Sequence, residues 1–295
     1  MRILSFGEVL FDIIEGEHYL GGAPLNFAAH LAQMGEASYI FSKVGRDTLG
    51  REALNKIQAI GVKSDLIQQD NQYPTGTVPV KIKKGQPDYT ILTDVAYDFI
   101  DFSESKVFLN LLDFDVLYYG TLAQRHLVSQ RALQELIKSK TFRHVFYDIN
   151  LRKDCYTTSI IQQSLQHCTI FKLNDEEVTT ISHLLYFKGF TIEEFAKLIS
   201  KDFRIDVIVI TAGATGCYVY AQGELHFIKS YPTQVVDTVG AGDAFSAAFV
   251  SAYVRHHDPL RAADIANKLG AFVAGSRGPI PDYSPEIKKA LGINT

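Results

Sequence analysis

The chain has 295 residues, 46% of them hydrophobic and 21% charged. That is long for one domain and short for two full ones, and the balance suits a globular protein rather than a disordered or fibrous one. A net charge of −4 with no run of Lys and Arg excludes general attraction to nucleic acid or an anionic membrane.

The N-terminal stretch MRILSFGEVLFDIIEGEH predicts a first strand over 2–10. Glu8, Asp12 and Glu15 break its apolar run, which argues against a signal peptide. Residues 12–24, DIIEGEHYLGGAP, read as strand without a crossover helix. A helix follows over 24–35, opened by Pro24 and closed by Gly35. Next come a strand over 38–45 and a helix over 48–61, whose apolar residues fall at 49, 53, 54, 57 and 60. Residues 75–100 read as a hairpin around KKGQPD, because two alternating runs flank a turn sequence. Strands are then expected at 115–120, 144–150, 169–174 and 206–213, with a helix over 192–200. Alternating β and α argues for a mainly parallel sheet covered on both faces, with a small sheet outside it. No stretch approaches the ~18 apolar residues of a membrane span. Cys155, Cys168 and Cys217 have no C-x-x-C spacing and read as buried small side chains in a reducing cytosol.

Ligands of open α/β sheets sit beyond the carboxyl ends of the strands. That singles out Asp12, Asn150, Arg152, Asn174, Thr211 and Asp237. Two further stretches carry chemistry. In DTVGAGDAFSAAFV a helix starts near Asp243, and Gly240, Ala241 and Gly242 would present amides at its mouth, an anion hole. An acid beside such a hole makes sense if it faces a hydroxyl attacking a phosphorus atom. It could equally be an N-cap. In GGAPLNFAAHLAQMG, Gly22 permits close contact and the Asn26 amide can donate and accept toward a polyol. The alternative is a plain Gly–Pro helix start.

Together these two stretches resemble the paired signatures of the PfkB, or ribokinase-like, carbohydrate kinase family. The likeness runs from about residue 3 to 281, through GEVLFD, KVGRDTLG, TGTVPV, YDINLR, KLNDEE, TAGATG and GSRGPIP. The resemblance implies a three-layer α/β/α ribokinase-like fold. It has a mainly parallel central sheet and a small β-sheet lid from about 12–24 and 75–100, in a single kinase domain over 1–295. It implies that Asp243 is the general base and that the amides from Gly240 through Ala241 and Gly242 hold the transferred phosphoryl group. Asp12, Gly22 and Asn26 would bind the sugar. Asn174 and Glu177 would organise Mg²⁺ and the ATP phosphates, partly through water. Thr211, Gly213 and Gly216 would lie along the nucleotide, with Asn267 near the adenine. Asp237 and the carbonyl of Val239, with carbonyls from about 273 to 278, match a monovalent cation site, which makes K⁺ an expected ligand. A cytoplasmic enzyme, homodimeric through its lid, is implied as well.

The GGAPxN form and the D-x-N-L-R segment are fructokinase-like. The primary expectation is therefore ATP-dependent phosphorylation of fructose at a primary hydroxyl. Arg152 and Arg125 could meet substrate or phosphate, since a guanidinium fork suits phosphate or carboxylate equally. That keeps 2-keto-3-deoxygluconate kinase, and ribokinase or nucleoside kinase, as alternatives. Tyr97 and Phe99 are candidates to close over the sugar. A catalytically silent sugar-binding relative is the non-enzymatic alternative, against which Asp243, Asn174 and Glu177 argue. The chain has no Walker A pattern, no zinc or EF-hand pattern, and nine histidines without metal spacing.

Overall fold

A computed structural model describes residues 1–83 and 86–293. Its strands and helices run β1 (Arg2–Phe6), β2 (Leu10–Ile14), β3 (Glu17–Gly21), α1 (Ala23–Gln33), β4 (Ala37–Gly45), α2 (Thr48–Ile60), β5 (Ile67–Asp70), β6 (Gly76–Lys83), β7 (Gln86–Tyr89) and α3 (Phe102–Leu111). They continue with β8 (Val116–Tyr119), α4 (Leu127–Ser139), β9 (His144–Asp148), α5 (Thr158–His167), β10 (Ile170–Asn174), α6 (Asp175–Tyr186), α7 (Ile192–Phe203) and β11 (Val207–Thr211). The C-terminal part holds β12 (Gly216–Ala221), β13 (Glu224–Lys229), α8 (Ala241–His256), α9 (Pro259–Ala274) and α10 (Pro285–Ala290).

Nine strands form a central sheet in the order β13-β12-β11-β10-β9-β8-β1-β4-β5. The pairs from β11 through to β5 are parallel, and β12 and β13 close one edge antiparallel. Both faces of this sheet are buried. Ile3, Val116, Tyr118, Phe146 and Ile170 pack with side chains of α1, α8 and α9. Their neighbours Leu4, Leu117, Tyr119, Tyr147 and Phe171 pack with α3 to α7. Strand alternation explains this two-sided core, and full burial of one such side chain contributes roughly 1.5–3 kcal/mol. The mixed α/β architecture with a mainly parallel sheet is therefore as the alternation predicts. Among the described residues, no helix is long and apolar enough to cross a membrane.

A separate four-stranded sheet has the order β3-β2-β6-β7. It occupies much of the two segments that break the alternation, and the hairpin tip at Lys84–Gly85 lies outside the described residues. Two boundaries differ from expectation. The run 2–10 is not one strand. Gly7, at φ +144, turns the chain out of the central sheet so that β2 joins the small one. A side chain there would sit 2.6 Å from the Pro24 ring, so glycine is required by both conformation and space. The segment 90–100 is not strand either. It returns to the main body through a 3-10 turn at Ala96–Phe99.

The β12–β13 hairpin was missed in the sequence. Its turn uses Gln222 and Gly223, both at positive φ, and Gln is not among the residues that usually announce such a turn. Gly216 opens this hairpin at φ +140, and a Cβ there would overlap the Ile228 carbonyl. Gly216→Ala should therefore lower unfolding free energy by ~2–4 kcal/mol, the sum of backbone strain and overpacking. A melting temperature equal to the parent's would show that the hairpin accommodates the methyl group.

Candidate active site

The C-terminal signature folds as the start of α8. Gly240 caps the helix in the left-handed region at φ +78, and a Cβ on it would lie 2.5 Å from Pro279. The amide of Ala241 donates to the Thr238 carbonyl at 3.3 Å. Among the described residues, the amides of Gly240, Gly242 and Asp243 have no backbone acceptor. Three amides are thus left without a backbone partner at the helix start, and that of Ala241 is engaged within the turn. Asp243 lies in the first helical turn. Its carboxylate accepts from Asn26 Nδ2 at 2.8 Å. Burial pushes its pKa up to about 6 against the Asn26 donor, and the nearby Asp148 adds to the rise while Lys172 and Arg152 oppose it. Both residues of the paired signatures therefore meet in space. The segment of α1 from Pro24 to Leu31 is buried throughout, so Asn26 is held rigidly against Asp243.

Beneath this turn lies a polar group that the sequence reading did not single out. Lys172 of β10 pairs with Asp148 of β9 at 3.0 and 3.1 Å, both side chains almost wholly buried. Ser246 of α8 and the Tyr118 hydroxyl donate to the same Asp148 oxygen at 2.9 and 3.2 Å. Burial opposes the charge on Lys172, but Asp148 more than compensates and its pKa ends raised. A Cβ on Gly242 would sit 3.3 Å from the ammonium. A positive charge thus lies beside Gly242 at the start of α8. The signal was available: a Lys in the middle of IFKLN and an Asp ending HVFYD, opposite charges on strands whose other buried positions are uncharged.

On the side of the small sheet, Asp12 of β2 is half-buried. Burial raises its pKa, with Arg152 acting in the opposite direction. Gly21 and Gly22 let the chain pass close by. A Cβ on Gly21 would be 3.3 Å from Asp12 Oδ2, and one on Gly22 would overlap the Glu8 carbonyl. Arg125 is committed elsewhere. Its guanidinium forks onto Asp98 at 2.8 Å with both donors and stacks over the Tyr97 ring at 5.1 Å. Phe99 stacks on Tyr73 at 3.6 Å and leans on His126 at 4.4 Å. Tyr97, not Phe99, packs with Leu10 and Val78 of the small sheet.

Arg152 is exposed. It lines a cavity of about 390 Å³ with Asn150, Lys153, Asn174 and Glu177 among others. Asn174 and Glu177 form a reciprocal capping box on α6. One Glu177 oxygen accepts from the Asn174 amide at 2.8 Å and the other from the Leu151 amide at 2.7 Å. Burial raises the Glu177 pKa against these two donors. Among the described residues, no group of three acids, His or Cys is placed to hold a metal ion. The oxygens here suit a hydrated cation rather than a bare one.

Thr211 ends β11, and Gly213 follows in an exposed turn at φ +54. Gly216 and Asn267, expected along the nucleotide, both touch the edge hairpin. Gly216 is buried against β13, and the Asn267 amide donates to the carbonyls of Ile228 and Lys229 at 3.2 and 3.4 Å. Their geometry ties the edge hairpin to α9. Asp237 accepts from the Val239 amide at 3.0 Å, and the Ala274 carbonyl accepts the amides of Val236 and Asp237. The two segments expected around a monovalent cation are thus adjacent, with Ala274 already engaged.

A model of the pfkB family carbohydrate kinases matches residues 2–287. The chain is 28% identical over 302 residues to a sugar kinase of Pyrococcus horikoshii, covering 94% of this chain and 91% of that one. It is 27% identical over 304 residues to a fructokinase of Escherichia coli, covering 94% of each. Its fold superposes on the structure of an uncharacterized sugar kinase from Pyrococcus horikoshii with a TM-score of 0.81. That match has 25% identity and covers 95% and 94% of the two chains.

Replacing Lys172 by Met leaves Asp148 buried without its cation, and should cost about 3–5 kcal/mol of stability. Adding Asp148→Leu should restore much of that loss. Urea unfolding of the two variants decides it. A single variant as stable as the parent would show that the pair contributes nothing.

Proposed function

The chain belongs to the pfkB family of carbohydrate kinases, and from that premise we propose that it transfers the γ-phosphoryl group of ATP to a primary hydroxyl of a small sugar, with fructose as the favoured acceptor. The observation that carries this reading is Asp243: a carboxylate with a pKa near 6, fixed by Asn26 beside free amides at a helix start. Near neutral pH it is ionised and able to take a proton. The sugar hydroxyl loses its proton to Asp243 as its oxygen bonds to the γ-phosphorus. The bond from that phosphorus to the bridging oxygen breaks, and ADP leaves. A general base of this kind contributes about 10²–10⁴-fold.

The amides of Gly242 and Asp243, with the Lys172 ammonium beside Gly242, stabilise the negative charge on the moving group. Removing a single such donor typically costs roughly 3–4 kcal/mol. Phosphoryl transfer needs mainly positioning and charge stabilisation, so this set is adequate. Asp12, with Gly22 and Asn26, holds sugar hydroxyls. Thr211 and Gly213 border the nucleotide. Mg²⁺, when bound, neutralises charge on the ATP phosphates. Asn174 and Glu177 orient its water shell, in keeping with their occupied oxygens. Asp237 and the Val239 carbonyl are the candidate K⁺ ligands. The small sheet serves as a lid that excludes water, which would otherwise attack ATP. Its exposed Ile14 and Tyr19 suit pairing with a second copy.

A sugar acid is the second reading, favoured by the exposed Arg152 on the cavity wall. ADP release over a panel of fructose, ribose, nucleosides and keto-deoxy sugar acids separates the two. Turnover of ribose or adenosine with none of fructose would remove the fructose assignment. Asp243→Asn should reduce kcat by at least ~10² with sugar and ATP binding largely kept. Since the base acts ionised, the parent's kcat should also fall as pH drops through about 6. Near-normal turnover in Asp243→Asn would refute the general-base role.

A further inference from the structure

Two buried oxygens in this region lack hydrogen-bond partners: Glu8 Oε2 and Asn26 Oδ1. Buried polar atoms are nearly always satisfied, and an orphan costs the full desolvation of the group. Both side chains are 95% buried or more, and neither oxygen reaches solvent, so bulk water does not supply the partner. Both residues adjoin Gly22. The Glu8 side chain lies 3.4 Å from where a Gly22 Cβ would be, and the Asn26 amide N–H donates to the Gly22 carbonyl at 2.9 Å. The other nitrogen of Asn26 is the one that holds Asp243. The orphans thus share the corner of the cleft that the general base occupies. Glu8 sits where the chain leaves β1 for β2, at the junction of the two sheets.

We propose that Glu8 is a second acid of the sugar pocket, held in its protonated form, which donates a hydrogen bond to an oxygen of the bound sugar while Asn26 Oδ1 accepts from one of the sugar's hydroxyls. This rests on the sugar-kinase reading above and adds a specificity residue to it. An uncharged carboxylic acid is both donor and acceptor, which complements the acceptor-only carboxylate of Asp12. Burial pushes Glu8 up to about 7. Its own backbone, Arg152 and Arg125 oppose the rise and Asp243 adds to it. Tyr97 and Tyr118 also face it, and burial raises both of them further above neutrality, so they stay uncharged throughout the relevant range. Asp12 lies under the influence of the same Arg152.

Sugar binding, measured by calorimetry without ATP, tests the assignment independently of turnover. The tightest-binding sugar of the panel is the probe. Glu8→Met removes the donor and should weaken that binding at least about tenfold, the scale of one lost buried hydrogen bond, with ATP affinity unchanged. Glu8→Gln keeps a donor and should recover most of the loss. In the parent, affinity should fall as pH rises through about 7, because the donor proton is lost, and Glu8→Gln should flatten that limb. Equal affinity in Glu8→Met and parent, or a high-pH limb that persists in Glu8→Gln, would overturn the proposal. So would a parent that binds no sugar of the panel. If Glu8→Met does not fold, the parent and Glu8→Gln pH profiles decide alone. Sugar binding that depends on Glu8 in a protein that releases no ADP would sink the kinase reading while leaving this one standing.

Discussion

An ammonium placed in the middle of a parallel sheet must be answered by a carboxylate, and the Lys172–Asp148 pair is that answer. Desolvating two ions costs several kcal/mol each, and only close geometry with further hydrogen bonds offsets it. Asp148 receives those bonds from Ser246 and Tyr118. Ser246 shares its hydroxyl with the Gly242 carbonyl at 3.0 Å, so the pair reaches the first turn of α8. The strand register of β9 and β10, the seat of α8 and the charge beside Gly242 are thereby one constraint. A buried apolar pair would fill the same space but would leave the mouth of α8 electrically bare.

The second organising element is α1. Asn26 on it holds Asp243, and His30, one turn further, bonds the Pro279 carbonyl at 2.9 Å and the Tyr283 hydroxyl at 2.7 Å. Burial lowers His30 to about 4, so it is neutral near pH 7 and acts as a fixed strut. Pro279 in turn abuts Gly240. The helix cap, Asp243 and the C-terminal segment are thus all referred to one buried helix.

How much of this was legible in the sequence depends on what each residue does. Asp243, Asn26, Asp12 and the Asn174–Glu177 box sit in stretches whose glycines, prolines and acids mark turns and strand ends, and the fold brings them to one end of the sheet. Lys172 and Asp148 were passed over because they stand in strands, where a pattern reading looks for apolar alternation, and Glu8 because the sequence reads 2–10 as one strand although Glu8 falls in the link between β1 and β2. Their meaning arises only from neighbours on other strands. For Gly216 and Asn267, motif position suggests nucleotide contact, and only the structure reveals their ties to β13. The β12–β13 hairpin escaped because its turn uses Gln222 in a left-handed conformation that its residue type does not announce.

One register has a consequence for how the chain reaches this structure. In the small sheet, β2 lies parallel to β6, Leu10 opposite Gly76. Between them in sequence come β3, α1, β4, α2 and β5, of which β4 and β5 belong to the other sheet. A parallel pair of such long separation gains nothing until its loop is closed, and that closure is slow. The β2–β6 pairing must therefore wait for β1, β4 and β5 to assemble and bring their ends together. Asp12, opposite Val78 in that register, reaches its station late in folding.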